Sequence, residues 1–563
     1  MKKLNFTVYV LLVLIICYVQ VSAQVTADWV KTYNGNFLGS YAHNVALDGA
    51  GNVYVSGLGH DSITQDKDLV IIKYNPAGVF QWAQKYNGPG NQDEYGDYLA
   101  VDAAGNVNVT CTSLGSGTGR DFATIKYNTN GVLQWVQRYN GPGNGNDNVY
   151  GIGVDNSGNV FVSGWGYGPI PGFTVSGMSF TTIKYSSTGA QQWVKKYNAP
   201  SNTLNPGNDY VYAMKVDNSG NVYVTGTSMG MGGYPYSFLQ YCVTIKYNTF
   251  GDSVWVARYA DPDSVSVSQV RPVAIAVNNA GYVFITGACA FNNTNGSDYF
   301  TLKYNSSGVY QWFKKYTGPG AAGSNTDQPS SIAVDNSNVY VTGSSKGSTT
   351  DYDYATVKYD FSGVQQWVQR YNGPGNGQDA AYSIKVDSLG NSYVTGISTR
   401  VTATGQTDFA TIKYDYFGTQ KWLTRFTGNL SEGCGGYSLA LNSSGNVYVA
   451  GFQNMTCAAI KYSQQVGIEN ISSEIPGSYS LSQNYPNPFN PVTNIRFSVA
   501  KPGDVKISVY DMTGREAAVL VNENLNAGTY SVDWNAGGYT SGVYFYRMQA
   551  GNYSETKRMI LVK

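Results

Sequence analysis

For acid–base chemistry this 563-residue sequence offers carboxylates rather than imidazoles, because 36 Asp and Glu stand against two histidines, His43 and His60. A histidine-based triad or a zinc site has almost no material here, and both histidines are read as incidental. Asp61, Asp66 and Asp68, and again Asp351 and Asp353, are close enough in sequence to serve as paired acids of a glycosidase or lyase. Acidic residues at loop ends more commonly cap turns. For binding, the richest material is aromatic. Trp165, Tyr167 and Phe173 fall in one long insertion, Trp165 to Ser179. Tyr234, Tyr236, Phe238 and Tyr241 fall in another, Thr227 to Tyr241. Such a set can stack on sugar rings or grip a peptide, or it can cover itself as a local apolar cluster. The GPGNGN glycines do not open a helix, so a phosphate-binding reading fails on context.

The elements that would position these groups come from a repeat, clearest in AYSIKVDSLGNSYVTG, DFATIKYDYFG and QKW between Ala381 and Trp422. It recurs eight times. Each unit has an alternating first segment and then a second segment of the NVYVTG type. The third carries a lysine in an IKY-like run: Lys73, Lys126, Lys184, Lys246, Lys303, Lys358, Lys413 and Lys461. The fourth carries a tryptophan, but only seven units supply one: Trp82, Trp135, Trp193, Trp255, Trp312, Trp367 and Trp422. The missing copy is Ala27 to Gly35, around Trp29, at the other end of the chain. An N-terminal strand completing a C-terminal unit closes a ring and removes an exposed sheet edge. The expectation is therefore an all-β fold, an eight-bladed β-propeller whose N-terminal strand closes the last blade.

Between the first two strands, Asp-x-x-Gly-Asn marks a hairpin turn, with too few carboxylates for calcium. The repeating lysine lies in a sheet covered on both faces, where a charge needs a partner. The turn aspartate is the expected one, in a ring of Lys to Asp contacts; a lysine reaching solvent is the alternative. Turns after the first and third strands are short and uniform. Those after the second and fourth vary, which makes their face the place for a ligand.

Composition agrees with many short strands: Gly 66, Tyr 48 and only 13% charged residues. Zero formal net charge leaves no basic field for nucleic acid. Lys2 and Lys3, an apolar run from about Val8, and Val21, Ser22 and Ala23 read as a secretory signal over 1–23. The run is too short to span a bilayer, so no transmembrane segment is expected in the mature chain. Five cysteines then remain, at 111, 242, 289, 434 and 457, without metal-ligand spacing. If any pair bridges, it is Cys434 with Cys457. No cofactor and no metal are expected.

The repeats resemble the bacterial β-propeller repeat family known as SBBP, through the GNVYVTG, ATIKY and QWVxRYNGPGN phrases. Its name implies seven blades, where the count here is eight; its members are generally extracellular and seldom have a defined activity. After Tyr462 a polar stretch, 463–483, reads as a linker. From 484 the alternating strands of a small immunoglobulin-like β-sandwich follow. NYPNPFNP, VYDMTGRE, SGVYFYRM and KRMILVK resemble the type A C-terminal sorting domain of the type IX secretion system. That resemblance implies recognition by the outer-membrane machinery, with Thr556, Lys557, Arg558 and Lys563 on the last strand as recognition residues. The domains are thus 1–23 signal, 24–462 propeller, 463–483 linker and 484–563 sorting domain. The functional expectation is a secreted or cell-surface, non-catalytic binding or adhesion protein with a glycan or protein ligand. A secreted polysaccharide-degrading hydrolase or lyase and a structural surface-layer component are the alternatives.

Overall fold

The computed structural model describes residues 25–562 apart from 26, 36, 171–175, 200–207, 232–237, 261–268, 291–295, 321–325, 402–404, 429–432, 464–468, 473 and 537–538. The sequence reading of a signal over 1–23 lies outside these residues. Among them there is no helix, and none long and apolar enough to cross a membrane.

Each repeat folds as an antiparallel meander. The first comprises Phe37–Leu47, Val53–Asp61, Lys67–Tyr74 and Phe80–Tyr86, hydrogen-bonded in chain order. Among the described residues seven such meanders follow one another, the fourth and fifth touching through a single parallel bridge from Gln240 to Gln269. An eighth four-stranded sheet combines Cys434–Leu441, Val447–Gln453 and Thr456–Tyr462 with the N-terminal strand Ala27–Tyr33. In that sheet Trp29 pairs with Lys461, the register in which Trp82 pairs with Lys73 and Trp422 with Lys413. The N-terminal strand thus occupies the fourth-strand place. The middle strands are buried on both faces, as sheets stacked between sheets must be.

Turn chemistry sets the hairpins. Asp48 Oδ1 accepts the N–H groups of Ala50 and Asn52, while Oδ2 accepts Asn52 Nδ2 and the Tyr54 hydroxyl at 2.7 and 2.9 Å. These bonds saturate the carboxylate, and that corrects the Lys to Asp ring. Lys73 Nζ instead donates to the Thr129 carbonyl, Lys184 to Thr249, Lys303 to Phe361 and Lys358 to Tyr416, each at 2.6–2.9 Å in the third turn of the following sheet. The tryptophan opposite each lysine donates its indole N–H to the same carbonyl, as Trp82 does to Thr129 and Trp312 to Phe361. Lys126 does make the expected pair, with Asp102 at 3.1 Å, and Lys461 pairs with Asp28 of the N-terminal strand at 3.0 Å.

The turn glycine completes this junction between sheets. Gly308 has φ +78°, and a Cβ on it would lie 2.5 Å from the Trp255 ring of the preceding sheet. Gly78 stands in the same relation to Trp29, so the N-terminal strand grips the first sheet as the other fourth strands grip their successors. All five described cysteines are free and buried. Cys434 and Cys457 sit on strands separated by Val447–Gln453, roughly two strand spacings or about 10 Å apart, which corrects the bridge suggested for them.

At the C-terminus two four-stranded antiparallel sheets share one core, including Ile495, Phe497, Ile507, Trp534, Tyr546 and Met559. Part of the stretch read as linker belongs here. Glu469–Ser472 pairs with Gly528–Asn535, and Ser480–Leu481 pairs with Val492–Val499, with Leu481 buried in the core. These edge pieces are too short and polar to show a strand's alternation.

Candidate functional site

The two long insertions are largely strand. Val160–Pro169 and Ser176–Tyr185 continue their ladder to Pro169 and Ser176, and Val222–Met231 and Phe238–Tyr247 do the same in the next sheet. This corrects the loop reading for Trp165, Tyr167, Phe238 and Tyr241. Glycine, proline and serine within WGYGPIPGFTVSGMS read as loop, yet Trp165–Pro169 pair with Ser176–Phe180. Trp165 is half-buried and meets Tyr210 of the fourth sheet edge-to-face at 5.7 Å. Tyr167 packs beside Gly145, and Tyr241 lies under the Arg258 guanidinium at 4.5 Å. Phe173, Tyr234 and Tyr236 lie outside the described residues, and Phe238 is placed only by its backbone.

The candidate catalytic acids have other tasks. Lys85 pairs with both Asp61 and Asp68, the latter at 2.7 Å. Lys346 pairs with Asp351 at 2.6 Å, and Arg370 with Asp353 at 2.8 Å. Asp66 lines a cavity of about 640 Å³ with Asp93, Tyr95 and Arg120. There Arg120 covers the Tyr95 ring at 4.3 Å, and Asp93 accepts the Lys67 N–H.

The sequence reading missed a second set of acids. Asp147, Asp209, Asp327 and Asp379 open their first strands, and each accepts a backbone N–H from the loop leaving the preceding sheet: Gly141, Ala199, Gly318 and Gly373. Glu94 does the same for Gly88. Burial pushes Asp147 and Asp209 up to about 6 and Glu94 to about 7. Raised acids often mark catalysis. At Asp147, however, the second oxygen accepts the Tyr167 N–H at 2.9 Å, so both oxygens hold backbone.

The first strands surround a common axis. Each packs on the first strand of the next sheet, and the eighth packs back on the first. Every one carries a bulge at the same place, as between Ala42 and Asn44 and between Ala381 and Ser383. His43 sits at one bulge, and its Nδ1 meets the Asp97 carboxylate of the second sheet at 2.5 Å. Burial presses the imidazole down, but Asp97 outweighs it and holds the group above its ordinary value. Asp97 also accepts Ser56 Oγ at 2.6 Å and Asn44 Nδ2 at 2.9 Å. Ser56 bonds the acid and not the imidazole, so His43 is not placed as its base. His43 is therefore structurally engaged rather than incidental. Tyr437 lies against it at 5.7 Å and against Tyr382 at 5.2 Å.

On the sorting segment, Tyr553–Leu561 is an edge strand. Thr556 accepts Arg547 Nε, Lys557 pairs with Glu555 at 3.0 Å, and the Arg558 carbonyl accepts Gln483 Nε2. Phe489 brackets the end of this strand, donating to the Ile560 carbonyl and accepting the Val562 N–H. Lys563 lies outside the described residues. Among the described residues no group of three His, Cys, Asp or Glu could hold a metal ion.

Four-stranded meanders around an axis, with a two-sheet module behind them, define a β-propeller repeat protein with an appended terminal domain. Residues 483–563 match the family described as "Secretion system C-terminal sorting domain", and 134–171 and 311–349 match SBBP, the "Beta-propeller repeat". The chain thus contains segments that match the SBBP propeller repeat and, at 483–563, a segment that matches a secretion-system C-terminal sorting domain. No curated protein matches it. Among solved structures it is similar to the β-propeller domain of the trilobed protease from Pyrococcus furiosus, with 7% identity and TM-score 0.39, covering 70% of this chain and 98% of that one. It is also similar to an alpha-L-arabinanase of Penicillium chrysogenum complexed with arabinobiose, with 10% identity and TM-score 0.34, covering 78% and 97%. A third likeness is to an apocarotenoid oxygenase of Synechocystis, with 9% identity and TM-score 0.38, covering 72% and 94%. Likeness at this level carries no functional information.

Proposed function

We propose that the protein is an exported, non-catalytic binding or adhesion module: an eight-bladed propeller over 24–462, closed by its N-terminal strand, joined to an immunoglobulin-like sorting sandwich. Export begins with a signal over 1–23 and ends with recognition of the last strand, Thr556 to Lys563, by the type IX machinery. The closed succession of first strands and the Trp29 to Lys461 register support the blade count.

The observation that carries the non-catalytic reading is the state of the acids. A glycosidase needs one protonated carboxyl and one ionised carboxylate free to face substrate. Here Asp61, Asp68, Asp351 and Asp353 are held by Lys85, Lys346 and Arg370, and the buried acids hold backbone N–H groups. The ligand-facing candidates on the variable face are Trp165, Tyr167 and Tyr241, with Phe173, Tyr234, Tyr236 and Phe238 of the same two sequence insertions.

The test is a glycan and protein array probed with the mature chain, with and without calcium, followed by an assay for reducing ends on every glycan bound. Binding without turnover, weakened by Trp165→Ala with Tyr241→Ala, is the expected result. Release of reducing ends would overturn the non-catalytic reading, and undiminished binding by the double variant would overturn the aromatic site.

A further inference from the structure

The axis carries charge that no described residue pairs. Three residues beyond each bulge, the equivalent positions of the eight first strands are alanine or glycine in six cases, among them Ala276 and Ala333. The other two are Lys215, on the fourth sheet, and Lys385, on the seventh. Two long cations thus stand where the other six first strands carry alanine or glycine. Both lysine side chains are exposed to solvent. Neither makes a hydrogen bond or ion pair with any described residue. Burial lowers both ammonium groups, Lys385 to about 8, and the Lys215 charge contributes to the shift at Lys385. The fourth and seventh sheets are not neighbours, so the two lysines sense each other across the axis.

The bulge level supplies the rest of a site. Tyr150 and Tyr212 meet edge-to-face at 5.8 Å on one side, and Tyr382 and Tyr437 meet at 5.2 Å on the other. Arg271 lies over Tyr212 at 4.7 Å, and His43 is held toward its charged form. Asp97 is the acid at this level, and its oxygens are taken by His43, Ser56 and Asn44. At these two levels Lys215, Lys385, Arg271 and His43 stand against the single acid Asp97, in a chain of zero formal net charge. Ammonium groups without a carboxylate partner, held partly desolvated between strands, gain from an anion more than isolated surface lysines do. Tyrosine rings and hydroxyls suit a sugar.

We infer that the axial channel of the propeller binds an acidic saccharide, with Lys215 and Lys385 taking its carboxylate or sulfate groups and the tyrosine collar taking its rings. This rests on the binding reading above and on its eight-blade closure. It names a ligand class and a site distinct from the variable face.

The experiment is calorimetric titration of the full mature chain with tetragalacturonate, a sulfated chondroitin tetrasaccharide, inorganic sulfate and neutral cellotetraose. Expected are binding of at least one acidic tetrasaccharide, weakening with added salt, and at least about tenfold loss in Lys215→Met with Lys385→Met, or about 1.4 kcal/mol. The two acidic sugars distinguish carboxylate from sulfate recognition. Binding of inorganic sulfate as tightly as either sugar would reduce the site to an adventitious ion site and overturn the saccharide assignment. Equal affinity for cellotetraose, an unaffected double variant, or no binding of either acidic sugar would also overturn it.

A footprint keeps the test independent of variant folding. Acetylation of Lys385 at pH 8, read by mass spectrometry, should slow with bound ligand while that of exposed Lys501 does not; equal protection of both would count against the channel. Loss on Lys215→Met with Lys385→Met but not on Trp165→Ala with Tyr241→Ala separates this site from the variable-face site. The reverse pattern fails the channel and leaves the variable-face reading standing.

Discussion

A single repeated residue does different work in different copies. Lys73 and Lys126 occupy equivalent places, yet one donates to a carbonyl of the next sheet and the other pairs with its own turn aspartate. Removing them should therefore cost different amounts. Lys73→Met loses the bonds to the Thr129 carbonyl and hydroxyl and should destabilise by about 1–2 kcal/mol. Lys126→Met leaves the Asp102 carboxylate, whose side chain is 5% exposed, without its cation and should cost about 3 kcal/mol. Denaturant titration of both variants checks the ordering, and equal losses would contradict it. The glycines divide in the same way. Gly308→Ala forces a Cβ against Trp255 at positive φ and should cost about 1–3 kcal/mol; Gly49→Ala, in open space, should stay within about 0.5 kcal/mol of the parent. Sequence alone shows that a lysine, a tryptophan and a glycine recur together. It does not show that lysine and tryptophan share one carbonyl in the turn whose glycine backs the tryptophan ring, because that turn lies some 50 residues away on the next sheet.

Strands were easy to read where apolar and polar residues alternate over a repeated length, and hard where they do not. The meanders, their turns and the terminal closure strand followed from period and from the displaced tryptophan. The extended hairpins at Val160–Pro169 and Ser176–Tyr185 did not, because Gly and Pro within them look like loop while the ladder continues. Glu469–Ser472 and Ser480–Leu481 escaped because two to four residues are too few to show an alternation. Of the candidate site, the aromatic residues were legible by type; the axial lysines were not, since only the ring of first strands brings the fourth and seventh sheets within reach. Closure itself is testable at this scale. A mature chain beginning at Phe37 lacks Ala27–Tyr33, which leaves Thr456–Tyr462 a bare edge and strips Trp29 from Gly78. Stability should fall by about 5 kcal/mol, and amide exchange should accelerate first in Thr456–Tyr462. Unchanged melting and unchanged exchange there would argue against ring closure.

Across the whole molecule, the buried acids that tie each loop to the next sheet set a pH dependence opposite to the usual acid weakening. Asp147 and Asp209 are pushed to about 6, Glu94 to about 7, and Asp379 upward, all chiefly by burial. A carboxyl whose folded value lies above its unfolded one binds more protons folded than unfolded. Its contribution is complete below the unfolded value, near 4, and is lost as pH rises through 6 to 7. Asp48 and Asp102 run the other way. Burial opposes them, but their turn amides, and Lys126 for Asp102, hold them below the ordinary value. Their contribution is complete above about pH 4 and is lost below it. Stability should therefore peak near pH 4–5 and decline toward pH 8. Asp147→Asn with Asp209→Asn lowers the peak, because the amide turns one acceptor oxygen into an NH2 donor, which at Asp147 faces a backbone N–H, but it removes two of the titrating sites. The melting temperature of that variant should fall less steeply between pH 5 and 8 than the parent's. A parent that is flat over this window, or a variant with an unchanged slope, would show that these carboxylates do not couple the sheets to pH.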